Sequence, residues 1–158
     1  MIRIALAAAV LSLAACGGGE PGRSVRPPGV GVLTEGRAEV RVRGALRTRF
    51  DVPLDGGAIN IYQHPRGGFA LTWGGQDQPA VGIGGPLFEG TRVTGNGLSV
   101  TLTAPDEGLP VVFTSFDGEC QVTLVEVERD RLDGTFSCVG LSARGLVIDA
   151  TGTFSASG

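Results

Sequence analysis

The chain has 158 residues, enough for one domain with a moderate core. Its 27 glycines and 9 prolines make it rich in turns, while a hydrophobic share of 42% keeps it globular rather than low-complexity. The net charge of −3 argues against nucleic acid as the main partner and against a polybasic grip on anionic lipid, because both need a basic surface.

All 13 basic residues are arginine, and asparagine occurs only at Asn60 and Asn96. That bias reads as the codon composition of a GC-rich genome, not as a functional signal.

Arg3 supplies a short positive start, and Ile4 to Leu13 form an apolar run. The run is too short to span a bilayer as a helix and has the size of a signal-peptide core. It ends in Leu13-Ala14-Ala15-Cys16. This stretch resembles the lipobox of bacterial lipoprotein precursors: an aliphatic residue, two small residues, then cysteine. The resemblance covers residues 1–16 only.

It implies a diacylglyceryl group on the Cys16 thiol, cleavage just before Cys16 and acylation of the new amine. Small side chains at Ala14 and Ala15 let an extended backbone enter a peptidase cleft. Cleavage would remove Arg3 and no acid, taking the side-chain charge from −3 to −4. The implied location is the bacterial cell envelope, with a membrane as partner through the lipid anchor. Residue 17 is Gly, not the Asp that marks lipoproteins retained at the inner membrane. In a host with two membranes the expected site is therefore the outer membrane, facing the periplasm.

Residues 16–30 contain Gly17-Gly18-Gly19, Pro21 and Pro27-Pro28, with no apolar period. Such a stretch buries too little surface to offset its ordering entropy. It reads as a flexible tether reaching about 20 Å.

Residues 31–158 read as one all-β domain. From Arg37 to Val52, apolar even positions alternate with mostly charged odd ones, which is the period of a half-buried strand; Gly44 marks a bend or bulge. Ile59 and Ile61 alternate with Asn60 and Tyr62. His64-Pro65-Arg66-Gly67 has the makings of a type I turn, leading into Phe69, Leu71 and Trp73 as a hairpin.

A short strand at Ala80-Val81-Gly82-Ile83 follows. A turn at Gly95-Asn96-Gly97 opens a strand carrying Leu98, Val100 and Leu102. Val111 to Phe113 form another, and the last third holds strands at Glu119 to Val127, Leu132 to Leu141 and Leu146 to Ala156. Two of these carry Gly-Thr-Phe-Ser, at 134–137 and 152–155, which makes them similar neighbours rather than repeat domains. The expected fold is a small antiparallel β-sandwich or β-barrel of about eight to ten short strands.

With Cys16 lipidated, Cys120 and Cys138 remain, and export would place them in an oxidising compartment. Paired across a hairpin, they set Val122 opposite Phe136 and put the tip at Glu128-Arg129-Asp130-Arg131. The apolar phase slips near Val125, which predicts a bulge there with Val125 and Val127 as the inward positions.

Catalytic chemistry is hard to place. His64 is the only histidine, and there is no Gly-x-Ser-x-Gly, so no nucleophile–base set emerges. No metal or cofactor site is expected, since one histidine and no spare cysteine make a poor zinc site. Asp130 and Asp133 with Gly134 lack the spacing of a calcium loop. Asp51, Asp55, Asp77, Asp106 and Asp117 are scattered, mostly beside Gly or Pro, where aspartate serves turns.

The sharpest surface feature is the stripe Arg41, Arg43, Arg47 and Arg49. One reading is an anion or headgroup site. The other, favoured by the sequence, is a solvated strand face opposed by acids such as Glu126 and Glu128. The expected function is thus a lipid-anchored, non-catalytic binding or structural module. The alternatives are a carrier of a hydrophobic ligand and a small hydrolase using two carboxylates.

Overall fold

A computed structural model of the chain describes residues 29–61, 67–75, 78–106 and 108–158. Cys16, the signal and most of the tether lie outside these residues, as do His64 and Asp77. The described residues form eleven strands and no helix. They are β1 (Gly29–Leu33), β2 (Glu35–Gly44), β3 (Thr48–Ile61), β4 (Gly68–Gly74), β5 (Ala80–Pro86), β6 (Gly90–Val93), β7 (Ser99–Asp106), β8 (Leu109–Ser115), β9 (Cys120–Val127), β10 (Arg131–Ala143) and β11 (Leu146–Ser157).

Every pairing is antiparallel, in the order β6-β9-β10-β11-β2-β3-β4-β5-β7-β8, with β1 beside β3. The ends, β6 and β8, do not pair, so the sheet is open and not a closed barrel. It folds over on itself as a small sandwich does. β3 belongs to both layers. Its first half pairs with β2 and its second half with β4 and β1, and the register slips between Leu54 and Gly56. The extra residue, Asp55, bends the strand at that corner.

Two of the eleven strands, β1 and β6, exceed the expected set. β1 begins at Gly29, so Gly29 and Val30, the last residues of the expected tether, are strand.

The alternating run from Arg37 to Val52 is two strands, not one. β2 and β3 pair around a turn centred on Ala45, with Val42 opposite Thr48 and Ala38 opposite Val52. Alternation puts Ala38, Val40, Val42, Leu46 and Val52 inside.

Between the layers, Trp73 of β4 is fully buried, and its indole N–H donates to the carbonyl of Ser155 on β11 at 3.0 Å. Its ring lies 5.3 Å from that of Phe154, tilted by 48°. The buried tryptophan thus satisfies its one polar atom in the opposite layer.

The twin Gly-Thr-Phe-Ser segments pair with each other: Gly134 lies opposite Phe154, and Phe136 opposite Gly152. A methyl on Gly134 would sit 2.5 Å from the Phe154 ring, and one on Gly152 would sit 2.5 Å from the Phe136 ring. Each phenyl occupies the room left by the facing glycine, which explains why the motif occurs once on each strand.

Candidate functional site

The disulfide forms between Cys120 and Cys138 at the base of the β9–β10 hairpin. Val139 N–H donates to the Glu119 carbonyl at 2.9 Å, which makes the cysteines a non-hydrogen-bonded pair, the position where facing Cα atoms come closest. Their Cα atoms are 3.9 Å apart, nearer than the usual range of about 4.4–6.8 Å.

Val122 faces Phe136, and both are buried, as the register requires. The expected bulge is present at Val125, between Leu124 opposite Gly134 and Glu126 opposite Asp133. The residue that goes in differs from expectation. Val127 is buried, but Val125 is the extra residue and is 75% exposed.

Beside the disulfide lies a polar network with no counterpart in the sequence reading. Ser115, fully buried at the end of β8, donates to Glu119 Oε2 at 2.7 Å. The hydroxyls of Ser115 and Thr94 are 2.5 Å apart. The Thr94 hydroxyl also accepts from the N–H groups of Gly118 and Cys120, each at 3.2 Å. Hydrogen bonds from Ser115 and from the backbone of Glu119 and Asp117 hold the Glu119 carboxyl below its ordinary pKa. This is a clasp: it ties the β8–β9 loop to the end of β6, and the disulfide ties the same loop to β10.

The arginine stripe occupies the β2–β3 turn. Arg41, Arg43, Arg47 and Arg49 are all exposed, and they line an open depression of ≈ 580 Å³. Its neighbours are not those expected. β9, which carries Glu126, lies beyond β11 and β10, and Glu126 pairs there with Arg131 at 2.9 Å. Glu128 sits at the β9–β10 tip, where its N–H donates to the Arg131 carbonyl.

What faces Arg41 on β3 is Arg49, and on β11, Thr151. Like charges directly opposite each other are unfavourable. Glu39 takes Arg49 at 3.2 Å. Asp149 stands opposite Arg43, but its Oδ1 accepts the Gly140 N–H at 2.9 Å. Among the described residues, Arg41, Arg43 and Arg47 make no ion pair.

A second open depression, ≈ 320 Å³, is lined by Arg41, Arg49, Thr135, Thr151 and Thr153, and by Glu39.

The aspartates among the described residues do not gather. Asp51 pairs with Arg37, and Asp133 with Arg131 at 2.8 Å. The Asp133 hydrogen bond, then its charge and that of Glu126, raise the Arg131 pKa. No group of three metal-ligating side chains occurs among the described residues.

Comparison of the chain with protein-family models, with curated proteins and with solved structures found no match.

Proposed function

We propose that this protein is a lipid-anchored component of the bacterial cell envelope whose folded domain is a non-catalytic binding module. The carrying observation is Leu13-Ala14-Ala15-Cys16 at the end of the apolar run from Ile4 to Leu13. Two features of the fold support it. The Cys120–Cys138 disulfide suits a chain exported to an oxidising compartment. Trp73 and Phe113 are both fully buried in the core, while the open depressions described above lie on the outer surface, which supports recognition there.

The test is fractionation. The native chain is expected in membranes, and in a two-membrane host in the outer one, because Gly17 follows the lipidated cysteine. Cys16→Ser is expected to release the protein from the membrane or to leave it as an uncleaved precursor. A Cys16→Ser chain that is cleaved and still held in the membrane would refute the anchor. Two or three acyl chains suffice for stable attachment, where one is marginal.

A further inference from the structure

We infer that the arginine end of the β2–β3 hairpin is the recognition surface of this domain, and that its ligand is an anionic glycan strand, a sugar chain bearing carboxylate or phosphate groups. The inference deepens the binding-module reading but does not depend on the lipid anchor. Four observations carry it.

The first is that unpaired arginines cluster here. Arg37 is paired with Asp51, and Arg131 with Asp133 and Glu126. Arg41, Arg43 and Arg47 have no carboxylate partner among the described residues and share one hairpin end, whereas the other described arginines without an ion pair, Arg92, Arg129 and Arg144, stand singly on three separate segments. The second is that Arg41 is placed directly opposite Arg49. That arrangement costs stability in the empty protein and is relieved by an anion lying between the two guanidiniums. The third is that this concentration of positive charge stands in a chain that is negative overall, so it is local rather than a general surface property.

The fourth observation sets the ligand class. The two depressions share Arg41 and Arg49, and the second is lined further by Thr135, Thr151 and Thr153, and by Glu39. A small inorganic anion would use the guanidiniums alone. A row of guanidiniums continued by a row of threonine hydroxyls fits a linear ligand with charged groups at one end and sugar hydroxyls along its length. Glu39 holds Arg49 at the junction.

The surface also stands away from the point where the chain enters the domain. Gly29 pairs with Ile61 at one end of β3, and the arginine turn precedes Thr48 at the other. Where Cys16 anchors the chain, a ligand held there is more naturally a polymer beyond the anchoring leaflet than the headgroups of that leaflet, a point that adds to the four observations and is not needed by them.

The experiment is calorimetric titration of the mature chain in non-ionic detergent with an oligogalacturonate, a neutral maltooligosaccharide and tripolyphosphate. Oligogalacturonate is expected to bind saturably, more weakly as salt is added, and the neutral sugar not to bind. Arg41→Gln/Arg43→Gln should weaken binding at least tenfold. Arg92→Gln/Arg129→Gln removes the same charge elsewhere and should change it less than twofold. Thr151→Val/Thr153→Val should weaken oligogalacturonate and leave tripolyphosphate unaffected.

Absence of saturable oligogalacturonate binding, or an equal loss in both arginine pairs, overturns the site. Insensitivity to the threonine change, with tripolyphosphate bound as tightly as the glycan, overturns the glycan assignment and leaves a simple anion site. The Arg41→Gln/Arg43→Gln chain should unfold at the same or a higher denaturant concentration than the native one, and that measurement separates a loss of binding from misfolding. A protein found without lipid that still binds oligogalacturonate would refute the anchor and leave this inference standing.

Discussion

Gly134 and Gly152 show most clearly what a single atom decides here. A Cβ on Gly134 would meet the Thr123 carbonyl oxygen at 2.4 Å as well as the Phe154 ring, and one on Gly152 would meet the Glu39 carbonyl oxygen at 2.6 Å as well as the Phe136 ring. Backbone and buried ring would both have to move. Either Gly→Ala change should therefore cost about 1–3 kcal/mol, the range for an overfilled core. Gly56, with nothing within 4 Å of its added Cβ, is the control, and Gly56→Ala should stay within about 0.5 kcal/mol of the native chain or stabilise it. Chemical denaturation of the three variants measures this, and equal effects at all three would remove the reciprocal packing from the account.

Ser115 makes a second prediction at the same scale. Ser115→Ala leaves the Thr94 hydroxyl short of a buried partner and should cost about 1–3 kcal/mol. It should also change the response to acid. Glu119 titrates below its ordinary value of 4.5 in the folded chain, so its contribution is whole above that pH. The contribution fades as pH falls through the lower folded value, because the unfolded chain then binds the proton more readily. Denaturation midpoints measured from pH 6 down to pH 3, pH values chosen to bracket that ordinary value, should fall less steeply in Ser115→Ala than in the native chain. Parallel curves would mean that Ser115 does not hold the carboxylate.

At the scale of elements, the β9–β10 hairpin was legible in the sequence almost entirely. The two cysteines, the shared parity of Val122 and Phe136, and the phase slip at Val125 are local signals, and they fix the register seen. Its disulfide closes a loop between residues 18 apart, so removing it as Cys120→Ala/Cys138→Ala should lower stability by about 3 kcal/mol. Denaturation with and without reductant should show the same difference in the native chain, and a reduced protein as stable as the oxidised one would contradict it.

The β2–β3 hairpin was read less well, for a definite reason. Val42 stands opposite Thr48 and Ala38 opposite Val52, so facing residues have the same parity. The alternation therefore runs through the turn without a break, and a hairpin looks like one long strand. β6 escaped notice because all four of its residues are exposed and leave no alternation to find. The expected partners of the arginine stripe failed on a different ground. Which strand lies beside β2 is set by long-range order, and no local pattern says that it is β11 and not β9.

For the whole molecule, charge is distributed unevenly between the two layers. Outward positions along β4, β5 and β7 are small or neutral, as at Ala70, Thr72, Gly82, Thr101 and Thr103, whereas those of β2 and the first half of β3 carry arginines and acids. The proposed ionic recognition therefore falls on the β2 side. The central proposal for the whole chain is a lipid on Cys16, and intact-mass measurement of the protein extracted from membranes tests it most directly. The predicted result is a chain beginning at Cys16 whose mass exceeds that of its residues by a diacylglyceryl group and an amide-linked acyl chain. An unmodified chain beginning at any other residue would contradict it.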